Sequence, residues 1–104
     1  MSIDYAQAFN DALDAVESGE EDRARELLIE IVAADPRDGE AVLMLARLER
    51  SADENDQAKA RIQDLIALVP NHVDALVELA DILLDEGQPG EAAGHLRVVL
   101  VERP

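Results

Sequence analysis

The sequence has no cysteine and no tryptophan, one phenylalanine, one tyrosine and a single lysine among its 104 residues. Without cysteine, neither a disulfide framework nor a thiolate zinc site can form. With so few aromatics, the core has to be built from Ala, Leu, Val and Ile. That composition suits helices whose backbones approach closely and argues against an aromatic-rich β-sandwich. No apolar run reaches the roughly 18 residues that a spanning helix needs, and the N-terminus is not basic and then apolar. Nothing in the sequence is therefore built to cross a membrane or to direct export, and the expected location is the cytoplasm. Positive charge is scarce as well, with 24 acids against 9 Lys and Arg and a net charge of −15. Such a surface repels phosphate backbones and anionic lipid, so neither nucleic acid nor a membrane surface is an expected partner. Many acids, small aliphatics and one lysine suggest a protein suited to high salt, where self-repulsion is screened. An ordinary acidic surface from a GC-rich genome is the alternative.

What the sequence does contain is a period. Pro36, Pro70 and Pro104 stand 34 residues apart, each behind an aliphatic run. Aligned on them, the chain divides into Tyr5 to Pro36, Gly39 to Pro70 and Val73 to Pro104. Alanine recurs in two columns, Ala12, Ala46 and Ala80, then Ala24, Ala58 and Ala92. Large apolar residues fill two more, Leu28, Ile62 and Leu96, then Ile31, Leu65 and Val99. Asp11 breaks a column that continues as Leu45 and Leu79.

Each unit holds two segments with apolar residues three and four apart, the spacing of an amphipathic helix. Gly19 and Gly87 fall between the segments, where a left-handed residue often ends a helix. The middle unit reads "SADEND" there, with Asp53 and Asn55 expected as turn and capping residues. Small residues in register let paired antiparallel helices approach. Proline after the second helix cannot donate the next backbone hydrogen bond, and it biases the preceding residue out of the helical region. The predicted fold is all-α, three antiparallel helix pairs stacked as a right-handed α-solenoid, one domain over 1–104 with repeats at about 5–38, 39–72 and 73–104.

A 34-residue helix–turn–helix unit with these alanines, a large apolar residue and a closing proline resembles the tetratricopeptide repeat. The resemblance covers the chain from Tyr5 to Pro104. Departures stand at two positions that are aromatic in the family, here Ala8 and Ala15, Val42 and Glu49, and Leu76 and Leu83.

No arrangement of residues suggests catalysis, a metal site or a cofactor. His72 and His95 are far apart in the repeat and lack a second histidine or a cysteine as co-ligand, and both read as surface residues. "DENDQ" begins like a calcium loop, but Ala58 stands where that loop needs glycine. "GQPGEAAG" has the wrong spacing for a phosphate loop, and Pro89 suits the first turn of a helix.

The resemblance implies a concave binding groove lined by the first helix of each pair. The matching positions are Ala6, Phe9, Leu13 and Val16, then Glu40, Leu43, Arg47 and Arg50, then Asp74, Val77, Asp81 and Leu84. This trough runs from apolar through basic to acidic and aliphatic. Arg47 and Arg50 either grip an acidic partner or neutralise nearby acids such as Glu49, Asp81 and Asp85. The positions that clamp acidic chaperone tails in the family read Phe9, Leu13, Met44, Asp74 and Glu78, which lack the required bases and amides. A peptide or helix with apolar anchors and some basic residues fits better.

At the C-terminal end, Val98 and Val101 are expected as an uncovered apolar face, since stacked repeats normally close with a polar surface. The reading is a non-catalytic protein-interaction module that takes a protein or peptide partner, excised from a longer chain. The alternative is a scaffold that forms homo-oligomers through that end.

Overall fold

The alanine columns set the distance between helices. A computed structural model describes residues 4–102, and in it six helices follow in order. They are α1 (Tyr5–Glu17), α2 (Glu21–Ala34), α3 (Gly39–Ser51), α4 (Asn55–Leu68), α5 (Val73–Asp85) and α6 (Pro89–Glu102). All six column alanines are buried. They let α1 pack on α2, α3 on α4 and α5 on α6, while α2 and α4 carry the next pair through α3 and α5. The result is an all-α solenoid of three helix pairs, and Pro89 opens the last helix as expected.

The same backbone bond closes the turn inside each pair. Glu20, Glu54 and Gln88 donate their N–H to the carbonyls of Ala15, Glu49 and Leu83, each at 2.8 Å. This closure needs a left-handed residue just before it. Gly19 (φ 77°) and Gly87 (φ 76°) supply it freely, and Asp53 adopts the same conformation at φ 62° in the middle pair. A short polar side chain makes aspartate one of the few residues that tolerates this region. Asn55 is not a cap; it is the first residue of α4, behind Glu54, whose side chain makes no capping bond.

The first helix of each pair is capped at one register position. Asp4 and Asp38 accept from the backbone N–H of Gln7 and Ala41, and His72 Nδ1 accepts from that of Ala75, each at 3.1 Å. His72 is therefore a half-buried cap, not a surface residue, and its imidazole lies against Gly39 at the start of α3. Pro36 and Pro70 sit two residues beyond the ends of α2 and α4, just after the caps Asp35 and Val69, in the turns that lead to the next pair. Pro104 lies outside the described residues.

Two apolar clusters fill the interior. Ala41, Leu45 and Leu48 of α3 pack on Ala12, Ala15, Ala24, Leu28 and Ile31. Ala75, Leu79 and Ile82 of α5 repeat the arrangement on Val42, Leu43, Ala46, Ala58, Ile62 and Leu65. The positions of α1 that match these docking triplets hold Gln7, Asp11 and Asp14. Gln7 Nε2 donates to Asp11 Oδ1 at 2.8 Å, so the N-terminal end of the stack presents a polar face.

Candidate functional site

Among the described residues, three hollows hold most of the predicted groove positions. The first, about 470 Å³, spans α1, α3 and α5 and is lined by Phe9, Leu13, Glu40, Leu43, Met44, Arg47, His72 and Asp74. Phe9, Leu13 and Met44 are half-buried, and Glu40 and Asp74 are exposed. Leu43, expected as groove wall, is 4% exposed and belongs to the core, because α5 covers it. His72 was missing from the expected groove and reaches the hollow as a cap, while Met44 was expected only as one of the family's chaperone-clamp positions.

Arg47 and Arg50 stand over the second hollow, about 440 Å³, with Ser51, Asp53, Asn55 and Asp85. They face α5. Arg47 Nε donates to Glu78 Oε1 at 3.0 Å. One terminal nitrogen of Arg50 donates to Glu78 Oε2 at 2.7 Å and Asp81 Oδ2 at 3.2 Å, and the other to Asp85 Oδ2 at 2.9 Å. Partial burial alone would lower the Arg50 pKa, but its hydrogen bonds and charge contacts with Asp81 and Glu78 outweigh this and hold it above the ordinary value. Both arginines are thus engaged within the chain, neutralising part of an acidic surface.

Glu49, expected as one of their partners, is instead fully buried. Arg61 Nε donates to both its oxygens, at 2.8 and 2.7 Å. The Gln57 amide, with its nitrogen toward the carboxylates, donates to Glu49 at 3.3 Å and to Glu54 at 3.0 Å. Glu54 in turn binds Arg25 of α2 at 2.6 Å. The repeat register carried a signal for this burial: Glu49 shares its position with Ala15 and Leu83, both interior.

The third hollow, about 230 Å³, lies between α5 and α6 and brings together Val77, Asp81 and Leu84 with Glu78, Ala80 and Leu96. Val16 lines none of the three. Val98 and Val101 are exposed on α6, at positions held elsewhere by Glu30 and Asp64, and by Ala33 and Ala67, which are exposed too. They lie on the face that every pair turns to solvent. Among the described residues no group of three or more His, Asp or Glu could hold a metal, and no helix is long and apolar enough to cross a membrane.

Comparison with known proteins matches this geometry. A family model described as tetratricopeptide repeat matches residues 9–56 and 43–104. The chain is 29% identical over 90 residues to cellulose synthase operon protein C of Pseudomonas fluorescens (strain SBW25), covering 86% of this chain but only 7% of that protein. Its fold is similar to the type III secretion chaperone SycD of Yersinia enterocolitica, solved with a peptide of the translocator YopD. That match has a TM-score of 0.80 at 19% identity and covers 94% of this chain and 75% of the other. It is also similar to MamA, with a TM-score of 0.78 at 18% identity over 89% of this chain and 54% of that one.

Proposed function

Because the chain belongs to the tetratricopeptide repeat family, we propose that it is a non-catalytic protein-interaction module holding a peptide or helix of a partner in the hollow across α1, α3 and α5. The observation that carries this reading is the composition of that hollow. Phe9, Leu13 and Met44 offer adjacent half-buried apolar surface, flanked by the exposed carboxylates of Glu40 and Asp74. An apolar anchor seated on the first group and a Lys or Arg beside the second would satisfy both. Arg47 offers little to an acidic ligand, since Glu78 already holds it. The fold likeness to a chaperone solved with a peptide supports the same reading.

The test is affinity capture from a lysate, with wild type set against Leu13→Glu combined with Met44→Glu. These half-buried positions are preferable to Leu43, whose substitution would disrupt the core. A defined set of proteins retained by wild type and lost by the folded variant supports the hollow as the site. Identical retention by both removes it.

A further inference from the structure

Of the three caps that share a register position, one differs in kind. Asp4, Asp38 and His72 each accept a backbone N–H from three residues on, at 3.1 Å. An ionised carboxylate is an acceptor throughout the neutral range. An imidazole accepts at Nδ1 only while that nitrogen carries no proton, and in the charged ring both nitrogens are donors. Histidine is also the side chain whose charge ordinarily changes between about pH 5 and 8. The cap of α5 is therefore the one of the three that a proton can remove in that range.

The neutral ring lies over Gly39, where an added Cβ would meet Cδ2 and Cε1 at 2.9 Å, so its fit depends on the missing side chain. The backbone of His72 is held separately. Its N–H donates to the Val69 carbonyl at 3.1 Å, and its carbonyl accepts from the Leu76 N–H at 3.0 Å. Only the ring has to move, and the hollow across α1, α3 and α5 opens beside it. The charged groups that share this hollow with the ring are Glu40 and Arg47 of α3 and Asp74 of α5, while α1 brings only Phe9 and Leu13. Asp38, next to Gly39, is occupied by the Ala41 N–H, and Arg47 by Glu78. Glu40 and Asp74 are exposed, and no side-chain bond engages either among the described residues. The positive end of α5 repels an imidazolium left at the cap, and these two carboxylates attract it.

We propose that His72 is a proton-operated cap. Neutral, it closes the first turn of α5 against Gly39. Protonated, its ring leaves Gly39 and turns into the hollow toward Glu40 and Asp74. A cap bond and an exposed ion pair are of similar strength, so the two positions lie close in free energy and one proton chooses between them. The exchange uncaps α5, clears the space over Gly39 and sets a positive charge on the wall of the hollow. It does not depend on what the hollow binds.

Heteronuclear NMR of the isotope-labelled chain, titrated from about pH 8 to pH 5, reads both ends of the exchange. The Ala75 amide resonance should shift with the His72 ring protons on a single inflection, and the Overhauser contact between the ring and Gly39 should fade over the same range. The Ala41 amide, capped by Asp38, should stay fixed and serves as the internal control. His72→Asp should keep α5 capped and abolish the Ala75 inflection, and His72→Ser replaces it if that variant does not fold. Glu40→Gln combined with Asp74→Asn changes only exposed side chains and should move the inflection by about half a pH unit toward acid. A ring that titrates while Ala75 and the Gly39 contact stay unchanged overturns the proposal, as does a ring that stays neutral throughout. An Ala75 inflection that survives in His72→Asp overturns it too. An inflection unmoved by loss of the two carboxylates rules out the turn into the hollow.

Discussion

Removing Arg61 should damage this protein far more than removing the carboxylate it binds. Glu49 is fully buried, and Arg61 supplies its two short hydrogen bonds, with the Gln57 amide as the remaining donor. Breaking a buried ion pair from one side costs about 3–5 kcal/mol, because the surviving charge is left in a poor solvent. Arg61 is 31% exposed, so water reaches the pair, and the lower end applies. Arg61→Ala should therefore lose about 3 kcal/mol, which in a domain of this size lowers the midpoint by about 12–15 °C. Glu49→Leu should lose only about 1 kcal/mol, since the freed guanidinium can turn into water. The double variant Glu49→Leu with Arg61→Leu copies the residues at Leu83 and Leu27 in the neighbouring pairs. It should unfold within about 1 kcal/mol of wild type, or above it. Urea titrations of the four proteins complete the cycle. A loss below about 1 kcal/mol for Arg61→Ala, or a double variant no better than that single one, would refute the argument.

Gly39→Ala should destabilise the protein although alanine is the better helix former by about 1 kcal/mol. A Cβ there would lie 2.9 Å from Cδ2 and Cε1 of His72 and nearer still to Nε2, displacing the ring that caps α5. In a His72→Ser background the cap survives without the ring, and the same substitution should stabilise; thermal melts that show no change of sign would disprove the coupling. Molar KCl should raise the midpoint by several degrees over dilute buffer, since a net charge of −15 repels itself. A flat response to salt would exclude adaptation to high salt.

The helices were legible because their determinants are local. Apolar spacing, Gly19 and Gly87 between segments, and proline after each second helix mark every boundary to within a residue or two. The alanine columns carried the pairing, since only small side chains permit that approach. The contents of the groove were harder to read. Periodicity assigns a residue to a face of its own helix, but the next repeat decides whether that face is open. Leu43 and Val77 hold one register position, yet α5 covers the first and nothing covers the second. Glu49 was misread for the opposite reason. A carboxylate suggests solvent, and only the equivalent Ala15 and Leu83 reveal that the position points inward. His72 was overlooked because imidazole is an uncommon cap, although Asp4 and Asp38 share its register.

The polar face of α1 and the bare groove of α5/α6 give the stack a thermodynamic direction. In a linear array each unit is held by its own folding and by its neighbour, and the last unit has only one neighbour. Here that unit also leaves its aliphatic side chains in water, so cooperativity should run down toward the C-terminus. Amide protons of α6 would then exchange first, through openings that leave α1 to α4 intact, while those of the α2–α3 junction wait for global unfolding.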